Sequence, residues 1–253
     1  MRAHIPNLIT SANLICGVVA ALFAISGDLV IAALFMAIGM VFDFFDGLVA
    51  RWLKVQGPLG VQLDSMADLI TFGLAPSLVL MQLMQMSFYG EIKPLTEVFT
   101  ARAWQVGLDS YYPFLALLVV VASAFRLAKF NIDTRQTTHF IGLPTPANAM
   151  MIASLPLIFE YHYTLELEEV VFNKWFLIGL TLFSTYALNA PWSLFSLKFS
   201  SLTWKANKHL FVLLGAAIVL ISGLGYRAIP LILLVYIVMS LAWKKQWLQQ
   251  TPL

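Results

Sequence analysis

The sequence predicts an all-α fold, a polytopic bundle of about eight transmembrane helices with both termini on the cytoplasmic side. Three observations carry that expectation. Of 253 residues, 60% are hydrophobic and 11% charged, with a mean hydropathy of +0.83; soluble domains sit near roughly 45–50% apolar and about 25% charged. The apolar residues gather into segments close to the ~20 residues a helix needs to cross the hydrocarbon. The basic residues between those segments are divided unevenly. This composition excludes an ordinary soluble enzyme, a disordered chain and a nucleic-acid binder with a basic face. The formal net charge of +2 says little about partners.

The apolar segments run over about 8–26, 29–52, 60–88, 111–130, 146–163, 175–190, 209–225 and 228–243. The first follows Arg2 as a signal peptide would, but its cleavage pattern is poor, and it reads as an uncleaved helix. Cys16 is the sole cysteine. It permits no intrachain disulfide and reads as a packing residue in the first span. Pro144 and Pro146 stand where the fifth helix should start. The sixth and eighth segments are short, so seven or nine spans stay open. No repeat or low-complexity stretch divides the chain, and residues 1–253 read as one integral-membrane domain.

With the N-terminus inside, cytoplasmic segments hold Arg2, Arg51, Lys54, Arg126, Lys129, Arg135, Lys198, Lys205, Lys208, Lys244 and Lys245. Only Lys93, Arg102, Lys174 and Arg227 fall outside. The excess orients the bundle in the cell membrane. Glu160, Glu166, Glu168 and Glu169 then belong to a solvated external loop. His4, His139, His162 and His209 lie near span ends and read as interfacial packing residues.

Against this background, four aspartates stand out in VFDFFDGLVARWLKVQGPLGVQLDSMAD (41–68). Asp43 and Asp46 close the second span, and Asp64 and Asp68 open the third. Each acid at membrane depth costs roughly 2.5–3.5 kcal/mol on insertion scales. The i,i+3 and i,i+4 spacings put each pair on one helix face. The short connection with Gly57 and Pro58 makes the helices antiparallel neighbours, so all four carboxylates are expected to converge. Converging acids need a cation, and hard oxygens without His or Cys select Mg²⁺, Mn²⁺ or Ca²⁺. Four of them suffice for two ions of the kind used in phosphoryl chemistry. Gly47, Ala50 and Gly60 flank these faces, either as room for a ligand or as close helix packing. Arg51 offers a fork for phosphate oxygens or a cytoplasmic anchor.

At these residues the chain resembles the CDP-alcohol phosphatidyltransferase family. The family pattern D-x2-D-G-x2-A-R-x8-G-x3-D-x3-D is met in full by Asp43, Asp46, Gly47, Ala50, Arg51, Gly60, Asp64 and Asp68. The resemblance implies that the four aspartates bind two divalent cations, Mg²⁺ or Mn²⁺, which hold the diphosphate of a CDP-linked lipid. It implies Asp68 as general base, and Gly47, Ala50, Arg51 and Gly60 as residues of the CDP-lipid site. Asn7 and Thr10, in IPNLITSAN, match a polar stretch that approaches the CDP group. Where many members carry Ser or Thr, this chain has Gly57. The resemblance also implies a homodimer.

Longer stretches resemble membrane-integral phosphatidylserine synthases: DSMADLITFGLAPS (64–77), SAFRLAKFN (123–131) and FIGLPTPANA (140–149). The likeness covers about the first 160 residues, and implies CDP-diacylglycerol and L-serine as substrates in the lipid bilayer. Arg126 and Asn131, at the cytoplasmic end of the fourth span, are the expected serine-binding residues. Arg126 suits a carboxylate, though an anchoring role stays open. The rival readings are a family member with another acceptor (glycerol 3-phosphate, inositol phosphate or choline) and a divalent-cation transporter. A transporter calls for acids at mid-membrane on broken helices, whereas these cluster at one surface beside an arginine.

Overall fold

Turn chemistry sets the register of the first helices. In the computed structural model, which describes residues 4–94, 97, 108–133, 139–195 and 204–243, α1 (His4–Ser26) stops at Gly27, whose φ of +86° suits only glycine without strain. Asp28 then caps α2 (Leu29–Leu53) by accepting the Ile31 N–H at 3.2 Å. Lys54 ends α2 in the left-handed conformation, its N–H reaching the carbonyls of Ala50 and Arg51. Gly57 and Pro58 open α3 (Pro58–Asp68), with proline at a first-turn position that needs no N–H. The two acidic helix ends are therefore joined by a four-residue turn, 54–57.

The third segment is one composite rod. Directly after Asp68 it widens into a π turn (Leu69–Leu74), then continues as α4 (Ala75–Tyr89). Pro76 offers no N–H and crowds the carbonyl of Phe72. The turn absorbs this by letting the Ala75 N–H reach Ile70 O, five residues back. From Ala75 to Gln85 every residue is buried, which makes this rod the centre of the bundle.

A 3₁₀ stretch (Leu108–Leu117) containing Pro113 leads into α5 (Leu118–Ile132). Then follow α6 (Thr145–Tyr161), a short α7 (Leu165–Val171), α8 (Lys174–Asn189), α9 (Trp204–Leu224) and α10 (Ala228–Ala242). Two three-residue strands, β1 (His139–Ile141) and β2 (Ser193–Phe195), pair antiparallel and add a small ribbon to the expected helices. Gly225, at φ +56°, reverses the chain between α9 and α10. As a result His209 near the start of α9 and Tyr236 near the end of α10 both pack on the Phe195 ring, with centroids 4.7 and 5.1 Å away.

Among the described residues, five helices are long and apolar enough to cross a membrane, or six if the bent α7–α8 pair counts as one. The chain is an all-α, multi-pass membrane protein. One core joins Ala20, Ala24, Ala33 and Met36 to Phe72, Leu80 and Met84 of the central rod. A second joins Leu143, Leu194 and Phe195 to the α9–α10 hairpin. Cys16 is buried at the α1–α2 contact as expected, its Cβ facing Gly39. Pro144 caps α6, in keeping with the role expected of it. The cations Arg2, Arg102, Arg135, Lys198, Lys244 and Lys245 lie outside the described residues.

Candidate metal centre and substrate cleft

The beginning of α1, the end of α2, the whole of α3 and the end of α5 meet at one end of the bundle. Asp43, Asp64 and Asp68 converge there, each offering an oxygen within 4.8 Å of the others. Asp43 and Asp64 are half-buried and Asp68 is buried. Three hard oxygen donors that close, with no His or Cys among them, fit Mg²⁺ or Mn²⁺ and leave mutual repulsion to be neutralised. Asp46 stands just beside this trio. It is buried, and its Oδ2 accepts the Thr10 hydroxyl at 2.6 Å.

A cleft of about 290 Å³ opens next to the acids. It is lined by Asn7, Thr10, Asp46, Gly47, Ala50, Arg51, Gly60, Asp64 and Asn131, all singled out by sequence. A Cβ built on Gly47 would meet only the Arg51 guanidinium, at 3.6 Å, and one on Gly60 only Asn7 Oδ1, at 3.5 Å. These glycines therefore face the cleft rather than a neighbouring helix. Gly57 also lines it, with nothing within 4 Å of an added Cβ.

The two residues expected on the serine side part company. Asn131 lines the cleft and its Nδ2 donates to Ser65 Oγ at 2.9 Å, tying α5 to the helix that carries Asp64 and Asp68. Arg126 lies deeper, buried, with Nη1 donating to Thr145 Oγ1 at 3.4 Å. It does not line the cleft, although its charge interacts with that of Asp68. Lys129 donates to Asn189 Oδ1 at 3.2 Å, a tie between α5 and α8.

Sequence reasoning missed Asn13. It is wholly buried, and its Nδ2 donates to Asp68 Oδ1 at 3.3 Å. Its backbone carbonyl accepts the Thr71 hydroxyl at 3.0 Å, which locks α1 against the π turn. The available signal was spacing: Asn7, Thr10 and Asn13 recur every three residues and share a helix face. Gln56 and Phe130, also in the cleft wall, carried no such signal.

Comparison with known proteins agrees with this geometry. The model of the CDP-alcohol phosphatidyltransferase family matches residues 3–187. The chain is 34% identical over 161 residues to the CDP-diacylglycerol–serine O-phosphatidyltransferase of Bacillus subtilis (strain 168), covering 62% of this chain and 77% of that protein. The protein of the same name from Helicobacter pylori (strain ATCC 700392 / 26695) is 27% identical over 223 residues, covering 87% of this chain and 82% of the relative. The archaetidylserine synthase of Methanothermobacter thermautotrophicus is 28% identical over 158 residues, 60% of this chain and 58% of that one. The likeness thus reaches beyond the first 160 residues, into α8 for the family and further for the Helicobacter relative. This chain belongs to the CDP-alcohol phosphatidyltransferase family.

Proposed function

We propose that the protein transfers the phosphatidyl group of CDP-diacylglycerol to the hydroxyl of L-serine, giving phosphatidylserine and CMP. The observation that carries this reading is the trio of carboxylates beside a cleft lined by the family motif, in a chain whose relatives are named for that reaction. Asp43, Asp46, Asp64 and Asp68 are the residues for two divalent cations, Mg²⁺ or Mn²⁺. Cations held by these residues would supply positive charge for the diphosphate and for the charge that develops as the phosphate bond breaks.

The chain's own groups supply the rest. Asn7, Thr10, Gly47, Ala50, Arg51 and Gly60 receive the CDP head, the glycines by leaving space and Arg51 by donating to phosphate oxygens. Asn13 fixes the Asp68 carboxylate by donating to Oδ1. Asp68 accepts the serine hydroxyl proton while that oxygen attacks the lipid-linked phosphorus, and CMP departs with the electrons of the broken bond. Arg126 and Asn131 serve the serine side. Little covalent chemistry is left to the protein, so rate comes from positioning and electrostatics.

The same proposal extends to topology. Residues 1–253 form one domain of eight spans, with both termini and the cleft on the cytoplasmic side of the cell membrane. The excess of cytoplasmic lysine and arginine supports it, as does the α9–α10 reversal, which returns the chain to the cleft end. A homodimer in the membrane is part of this reading and is testable by cross-linking.

Detergent-solubilised protein given labelled CDP-diacylglycerol, Mg²⁺ or Mn²⁺ and one acceptor at a time tests the assignment. Serine-dependent phosphatidylserine and CMP are expected. Turnover with glycerol 3-phosphate, inositol phosphate or choline in place of serine would overturn the choice of acceptor, and metal flux without CMP release would overturn the enzyme.

A further inference from the structure

One helical turn inside α6 lies a fully buried amide. Asn148 has no exposed surface, and neither its Nδ2 nor its Oδ1 finds a hydrogen-bond partner among the described residues. Lipid and packed apolar side chains cannot satisfy such a group, and buried amides are ordinarily paired. Thr145 stands one turn earlier on the same face and is equally buried. Its Oγ1 is the atom that Arg126 Nη1 approaches at 3.4 Å. Arg126 is buried too, and its Nε also lacks a partner among the described residues. Three orphaned polar atoms, two on Asn148 and one on the Arg126 guanidinium that interacts with Asp68, therefore lie to either side of Thr145 where α6 begins.

What they lack defines the ligand. The Nε–H of Arg126 and the Nδ2–H of Asn148 are donors that call for an anionic acceptor, and a carboxylate takes both. The N-terminal end of α6, a 17-residue helix, favours the same charge. Asn148 Oδ1 is an acceptor that calls for an N–H, and an ammonium supplies it. An α-amino acid carries carboxylate and ammonium on one carbon. Choline has neither a carboxylate nor an N–H and leaves the set unpaired, whereas glycerol 3-phosphate can meet Asn148 Oδ1 only with a hydroxyl, not with a charged ammonium.

We infer that Asn148, with Arg126, holds the carboxylate and ammonium of the acceptor and is thereby a specificity-determining residue for serine. The inference rests on the reading of this chain as a serine-using transferase.

Kinetics of two variants test it. Asn148→Leu removes the amide at similar volume. It is expected to raise the KM for serine about tenfold or more, as losses of matched polar contacts do, with the KM for CDP-diacylglycerol unchanged. Asn148→Asp keeps the acceptor for ammonium but sets a negative charge against the carboxylate, so serine KM rises further while competitive inhibition by ethanolamine, which has no carboxylate, strengthens. Where Asn148→Leu does not fold, Asn148→Asp carries the test on its own through that change in inhibition. Serine KM unmoved in the folded variants, or equal rises for serine and CDP-diacylglycerol, overturns the inference and leaves the transferase standing. A wild-type protein that ignores serine overturns the functional reading beneath it.

Discussion

A Cβ added to Gly17 would fall 2.3 Å from Thr71 Oγ1 and 2.8 Å from the Thr71 backbone, and one on Gly39 would fall 2.6 Å from Thr71 Cγ2. A Cβ on Gly47 or Gly60 would touch only the tip of a polar side chain at 3.5–3.6 Å. The four glycines lie on the same three helices, the first pair in apolar runs and the second pair within the aspartate motif. The first pair lets α1 and α2 close on the π turn just beyond Asp68. The second pair holds open the space beside the acids. Glycine in a membrane helix therefore does two separable jobs, admitting protein or admitting ligand. Which job it does is read from what its missing side chain would strike.

If the cleft end exists for a ligand, its central acid must be dispensable for folding. Asp68→Asn is expected to cut turnover by about 10²–10⁴, the range of general acid–base contributions. Thermal unfolding in detergent should show a fold at least as stable as the wild type, because a buried charge is removed from a crowd of like charges. A variant that unfolds instead would make the acids structural and erase the contrast. Next in size comes the packing pair. Gly17→Ala drives its Cβ into the Thr71 backbone, which has no rotamer to escape by, and should cost roughly 1–3 kcal/mol as overpacking does. Gly39→Ala meets a methyl tip and should cost less. Equal unfolding midpoints for the two would mean that the π turn yields.

Much of this was legible from residues alone. Long apolar runs bounded by Gly27–Asp28 and by Gly57–Pro58 announce helices whose observed ends, Ser26, Leu29, Leu53 and Pro58, fall within two residues of the runs, because hydrophobic length and turn chemistry are local properties. The convergence of Asp43, Asp64 and Asp68 was legible for the same reason: helical spacing and a short turn dictate it. What was not legible is set across helices. Nothing in the order of residues pairs Thr10 with Asp46 rather than with a ligand, or points Asn13 at Asp68. The break at Leu69–Leu74 had a sign in Pro76, yet hydropathy sees the whole rod as one apolar span. Strands of three residues are too short for alternation to show.

The ligand-facing pair supplies the third test. Gly47→Leu has room to enter the cleft, since only a guanidinium tip stands near. The KM for CDP-diacylglycerol should rise by about 10–100-fold, the loss expected when a side chain occupies space meant for substrate, with the unfolding midpoint held. A fall in stability as large as that of Gly17→Ala would place Gly47 with the packing glycines and collapse the distinction.

The smallest effect belongs to the contact that lies between both jobs. Thr10 is buried packing on α1, yet its hydroxyl is 2.6 Å from the acid that stands beside the trio. Thr10→Val keeps the shape and removes the donor, so stability should drop by only about 1 kcal/mol, the usual worth of one hydrogen bond. The informative readout is the metal requirement. Without the hydroxyl, Asp46 is free to swing toward Asp43 and Asp64, and the concentration of Mg²⁺ or Mn²⁺ for half-maximal turnover should fall severalfold. An unchanged metal requirement with the same loss of stability would assign Thr10 to packing alone. In that case Asp46 is held away from the trio by its own helix, and the line between the packing and ligand sides of the bundle runs through α1.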